Sequence, residues 1–218
     1  DERIYPASMT KIMTALLTIE NLPDLNETIT VPEDIFEELT AQDASVAGFN
    51  PYEQPTVRDL LYGVLLPSGA DACETLARAV GGSEEGFVAM MNQKAEELGL
   101  TNTHFENCTG LHNDNHYSTC RDIAVLMSEC LKSDTFREIV TREVYTTEAT
   151  ASHPEGITLY DTMLHRFTSY EMSTTLENGA VIEGGKTGFT DEAGQCLVSF
   201  AEYGGEEYIL VTAEAMTD

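Results

Sequence analysis

The chain has 218 residues, 42% of them hydrophobic, which suffices for one substantial core and is too short for two independent ones. Asp+Glu 38 against Lys+Arg 11 gives a formal net charge of -27. That leaves no plausible basic footprint for a phosphate backbone, which disfavours nucleic-acid binding, and an anionic membrane surface would repel the chain. There is no internal repeat and no apolar run long enough to span a bilayer.

Near the start, Pro6-Ala7-Ser8 leads into Met9, Ile12, Met13, Leu16 and Leu17, apolar positions that recur at helical spacing behind a proline suited to a helix start. Ser8 and Lys11, three residues apart, then share a face at the helix N-terminus. An N-cap is the plain reading of Ser8. It would put Lys11 at the third helical position, where the helix dipole disfavours a cation by roughly 0.3–1 kcal/mol. A lysine placed against the dipole is better explained if it is often neutral, which is what a general base needs.

The middle of the chain reads as mostly helical. Thr56 to Leu66, Gly69 to Val80, Ser83 to Leu98 and Cys120 to Leu131 each show apolar recurrence at three to four residues, with Gly81-Gly82 and Gly99 as stops. Ser68 precedes the second of these, either as its cap or as a hydroxyl aimed at a site. Thr101 to Tyr117 is polar and loop-like. His112 and His116 have the spacing of a zinc pair only on a helix; they bracket a turn-rich stretch, so they read as surface loop residues near the cleft and no metal is expected. The five cysteines, at 73, 108, 120, 130 and 196, are odd in number and scattered, against a full disulfide framework.

Toward the end, Val181 and Ile182, then Gln195 to Ala201, then Tyr208 to Ala213 have strand length and composition, with Gly204-Gly205 as a hairpin turn. Lys186-Thr187-Gly188 therefore lies on a strand. Only four lysines occur in the chain (Lys11, Lys94, Lys132, Lys186), and two of them sit in these short segments. A serine three residues before one lysine, with a second lysine beside a small hydroxyl, is equipment for serine acyl transfer to or from a substrate bearing a carboxylate.

Tyr5 to Leu17, Leu65 to Ala72, Thr109 to His112, His116 to Thr119 and Gly184 to Gly194 together resemble the low-molecular-mass penicillin-binding proteins, specifically the serine-type D-alanyl-D-alanine carboxypeptidases. The resemblance implies an α/β (α+β) fold like that of β-lactamases and penicillin-binding proteins. In it, an antiparallel sheet with flanking helices (about 1–20 and 141–218) joins a mostly helical lobe (about 21–140) in one catalytic domain, 1–218, with the active cleft between them. It implies Ser8 as nucleophile, Lys11 as its base and Ser68 as a proton relay. Lys186, Thr187 and Gly188 would hold the substrate, and the N–H groups of Ser8 and Phe189 would form an oxyanion hole. Also implied are a peptidoglycan stem peptide as substrate, β-lactams as inhibitors, no cofactor and an extracytoplasmic location. Terminal strands or a helix of the family are expected to lie outside this chain, and it shows no membrane anchor.

One departure stands out: the motif at Ser68 normally ends in Asn, and here the third residue is Ala70. Asp71, Asn107 and Asn113 are the candidates to replace that amide. A β-lactamase, which needs a deacylating Glu on a loop not recognisable here, and a penicillin-binding sensor with little turnover are the alternative functions.

Overall fold

The computed structural model describes residues 2–215. A short 3-10 turn, Ala7–Thr10, runs directly into α1, Lys11–Asn21. Ser8 therefore sits in a tight turn before the α-helix and does not cap it. From Lys11 to Thr18 every residue of α1 is buried, the condition of a helix that runs through the centre of a fold rather than over its surface. Around it pack α3 (Val57–Leu65), α4 (Ala70–Gly81), α5 (Glu84–Glu97), α6 (Cys120–Cys130) and α7 (Asp134–Val140).

The polar groups that α1 carries into this core are all satisfied. Thr14 donates to the carbonyl of Cys108 at 2.6 Å and Thr18 to that of Thr14 at 2.8 Å. Unpaired, each buried hydroxyl would cost roughly 1–3 kcal/mol.

The four sequence-predicted helices of the middle are present, within a residue or two of their expected ends. Their caps explain the boundaries. Thr56 and Asp59 form a reciprocal capping box on α3, and the Ser83, Thr119 and Ser133 hydroxyls each accept a first-turn N–H of α5, α6 and α7. Shorter pieces carry too little periodicity to be read from sequence: α2 (Ile35–Ala41), α7, and α8 (Leu164–Ser169). A small antiparallel pair, β1 (Val144–Thr146) with β2 (Thr158–Tyr160), lies between α7 and α8.

The main sheet is antiparallel with order β3-β4-β5, formed by Val181–Thr190, Gly194–Tyr203 and Glu206–Ala215. Gly204-Gly205 joins the last two as expected, and Lys186 pairs with Val198 across β3 and β4. The 3-10 turn packs on β3 and α6 packs on β5. Residues 2–6 supply one isolated bridge, Ile4 to Ser118, and residues 11–20 supply α1 itself. All five cysteines are free, four of them buried. No helix among the described residues is long and apolar enough to cross a membrane.

One glycine fixes how the serine turn docks. Gly110 has φ +85, and a Cβ there would lie 1.9 Å from the carbonyl oxygen of Ala7. Gly110→Ala should therefore cost about 2 kcal/mol or more, through both backbone strain and displacement of the turn. A thermal melt would show it as a drop on the order of 5 °C; an unchanged Tm would refute this account of the packing.

Candidate active site

Ser8, Lys11, Ser68 and Lys186 converge where the 3-10 turn, the turn before α4 and the strand β3 meet. Lys11 Nζ donates to Ser8 Oγ at 2.9 Å and to the carbonyl oxygen of Thr109 at 2.7 Å. Lys186 Nζ donates to Ser68 Oγ at 3.0 Å and to the carbonyl oxygen of Thr187 at 3.0 Å. Ser8 is half-buried and faces a cleft of about 900 Å³, with Ser68, Thr187, Gly188 and Phe189 among its lining residues. Both lysines are sealed beneath it, Lys11 at 3% exposure and Lys186 at 1%.

The local backbone explains how the hydroxyls are presented. Ala7 and Ser68 are non-glycine residues at positive φ, +46° and +66°, a conformation costing roughly 1–2 kcal/mol each. The kink at Ala7 turns Ser8 toward the cleft. At Ser68 it carries the hydroxyl to Lys186 instead of to the end of α4, whose cap is Gly69. The capping reading of Ser68 is therefore wrong. Gly188 allows β3 to lie against the serine turn: a Cβ there would be 3.1 Å from both Ser8 N and Pro6 O.

The three candidates for the absent amide do other work. The Asp71 carboxylate accepts four N–H groups, from Ala47, Gly48, Phe49 and Ala72, and so pins the 45–49 segment to α4. Asn113 accepts from the N–H of Asn115. Asn107 acts one step back: its Oδ1 accepts from Thr109 N and Gly110 N, and its Nδ2 donates to Leu111 O. This holds the turn whose Thr109 carbonyl receives Lys11. The second acceptor of Lys11 is thus a main-chain oxygen, and no residue pattern announces a carbonyl.

His116 lies in a loop as expected, but not at the surface and not among the residues that line the cleft. It is 2% exposed, its Nδ1 accepts from Glu106 N at 3.1 Å, and its Nε2 therefore donates to Thr10 Oγ1 at 2.8 Å. Burial pushes its pKa down to about 3, so it is a neutral brace. His112 does line the cleft, near Asp114 and Glu192. The two histidines do not converge on a shared site.

Burial dominates the electrostatics. It lowers Lys11 from its usual value, and it lowers Lys186 to about 7, with the Lys11 charge adding to the effect. Two ammonium groups buried together disfavour one another, so the pair gives up a proton near neutrality. Burial raises Asp161 to about 6, against the N–H groups of Leu164 and Met163 and then the Lys186 charge, all of which favour its carboxylate.

On the cleft wall Glu74 accepts from Cys108 Sγ at 3.3 Å, and the side-chain ligand atoms of Glu74, Glu84 and Cys108 lie within 4.8 Å of one another. Burial, then the Glu84 carboxylate, lift Glu74 to about 7.

A model of the D-alanyl-D-alanine carboxypeptidase family, Peptidase S11, matches residues 1–217. The chain belongs to this family. The family member is 36% identical over 218 residues to the D-alanyl-D-alanine carboxypeptidase DacF of Bacillus subtilis, an alignment covering 100% of this chain and 53% of DacF. It is also 36% identical over 217 residues to the D-alanyl-D-alanine carboxypeptidase of Streptomyces sp. K15, with coverage of 96% and 72%. The crystal structure of the Streptomyces K15 DD-transpeptidase superposes with a TM-score of 0.87 at 34% identity, over 100% of this chain and 83% of that one. The fold expected from sequence is thus the fold observed. The chain spans about half the length of DacF.

Glu74 yields a direct check. Its folded pKa lies above the usual 4.5, so the stabilisation of its protonated form is complete below about pH 4.5 and lost as pH rises through about 7. Glu74→Gln should then melt above the wild type at pH 8, and the gap should close toward pH 5. A gap independent of pH would count against a raised pKa.

Proposed function

We propose that this protein is a serine acyl-transfer peptidase that removes the terminal D-alanine from peptides ending in D-Ala-D-Ala. The observation that carries this reading is the Ser8 hydroxyl 2.9 Å from a buried lysine amine, in a cleft that Ser68 and Thr187 also line and beneath which Lys186 holds Ser68 Oγ. Family membership supports it.

Ser8 Oγ attacks the carbonyl of the scissile peptide bond. Lys11, in its neutral form, accepts the hydroxyl proton, because its other partner, the Thr109 carbonyl, is an acceptor and leaves the nitrogen lone pair for Ser8. The N–H groups of Ser8 and Phe189 stabilise the oxyanion. Ser68, with its hydroxyl against Lys186, relays a proton to the leaving D-alanine. The substrate carboxylate takes the charge of Lys186 and the hydroxyl of Thr187. It thereby draws the remaining proton of the lysine pair to Lys186 and leaves Lys11 free to act as base. Water then releases the acyl group from Ser8.

The substrate in this reading is the stem peptide of peptidoglycan, β-lactams acylate the same serine, and the protein works outside the cytoplasm on the cell wall. The support is the family and the need for an anionic peptide terminus, while the charge of -27 stands against a polyanionic substrate.

Incubation with a fluorescent penicillin should give a covalent adduct in an intact-mass spectrum, absent from Ser8→Ala, and a diacyl D-Ala-D-Ala peptide should release D-alanine. No adduct on the wild type would overturn the proposal. An adduct lost within seconds would indicate a β-lactamase, and a stable one without D-alanine release a sensor. The acylation rate should rise with pH through about 7, where the buried pair loses a proton, since Lys11 fails as a base while both lysines are charged. A profile flat from pH 5 to 9 would rule out a titrating lysine base.

A further inference from the structure

Thr187 has a neighbour that the sequence motifs did not single out. Thr162 Oγ1 lies 2.6 Å from Thr187 Oγ1, and both residues line the cleft. The segment that carries Thr162 is held on both sides. Its N–H donates to the Leu66 carbonyl, two residues before Ser68, at 3.2 Å, and the Asp161 N–H donates to the Glu143 carbonyl at 2.8 Å. Asp161, 2% exposed, accepts from Met163 N at 2.9 Å and Leu164 N at 2.6 Å, which fixes the entry into α8. Thr162 is thus a braced hydroxyl touching the strand hydroxyl at the cleft, bonded to the same stretch of chain that delivers Ser68.

The direction of this hydrogen bond decides what Thr187 can do. Each hydroxyl has one hydrogen. If Thr187 donates to Thr162, it turns lone pairs toward the cleft and repels an anion. If Thr162 donates to Thr187, the Thr187 hydrogen is free for a ligand. A carboxylate only accepts, so a bound substrate terminus requires the second arrangement, a relay from Thr162 to Thr187 to carboxylate, in which each bond polarises the next.

The geometry points to Thr162 as a positioning residue that sets the Thr187 hydroxyl as a donor and so determines selectivity for ligands with a free terminal carboxylate. This deepens the peptidase reading and rests on it. Thr162 acts through Thr187 and does not touch the reacting atoms, so its loss is felt in capture of the anionic ligand more than in chemistry on Ser8.

The test compares Thr162→Val, Thr162→Ser, Thr187→Val and the Thr162→Val/Thr187→Val double variant, each with its Tm. The readouts are labelling by a carboxylate-bearing fluorescent penicillin and hydrolysis of paired peptides ending in a free carboxylate or a carboxamide. Loss of one hydrogen bond to a charged ligand corresponds to about tenfold. Thr162→Val should raise KM for the free acid by about that factor with little change in kcat, leave the carboxamide unaffected, and be rescued by Thr162→Ser. The double variant should match Thr187→Val alone, because a relay is broken once. If Thr162→Val lowers Tm sharply, Thr162→Ala replaces it in the cycle.

Wild-type rates in Thr162→Val, or effects that multiply in the double variant, would overturn the inference while leaving the peptidase reading intact. A wild type that neither labels nor releases D-alanine would overturn both.

Discussion

The arrangement turns on one buried amine. Lys11 lies in the first turn of a helix enclosed along eight consecutive residues, where a full positive charge would meet both desolvation and the wrong end of the helix dipole. The two acceptors that reach it, one hydroxyl and one main-chain carbonyl, carry no formal charge, so they favour protonation far less than a carboxylate would. The carboxylate whose charge acts on it, Asp71, is already engaged by four N–H donors. Much of the surrounding structure serves to keep that environment dry and uncharged: α3 to α7 pack round the helix, and Asn107 shapes the turn that supplies the carbonyl.

The second lysine follows from the first. Lys186 arrives from a strand separated by about 175 residues of chain, and its burial makes the two amines compete for protons. In a molecule carrying 27 excess negative charges, two lysines with no carboxylate ion pair among the described residues are a local exception; both hydrogen-bond to hydroxyls and carbonyls instead. The surface charge is dispersed in solvent and screened within about 8 Å at physiological salt, so it leaves this balance to the immediate neighbours.

Much of this was legible in the sequence because the relevant signals are local. The Ser8/Lys11 spacing, the strand character around Lys186 and the apolar recurrence of α3 to α6 each depend on a few adjacent residues. What escaped was tertiary. The carbonyl of Thr109 has no side-chain signature, and Thr162 acquires meaning only through a strand 25 residues on. The burial of His116 depends on Thr10 and on the N–H of Glu106 closing round its ring. Helices of six or seven residues, such as α2 and α8, span barely two turns, and their ends are set by contacts rather than by period.

The left-handed backbone at Ala7 and Ser68 has a bearing on how such a protein could be made sturdier. Glycine at either position would relieve the Cβ clash that the native residue tolerates. It would also free the peptide to wander among conformations that aim the adjoining oxygen elsewhere. Tension in the main chain and accuracy of aim are here a single property, and thermal robustness gained at these two places would be drawn from the aim of the nucleophile.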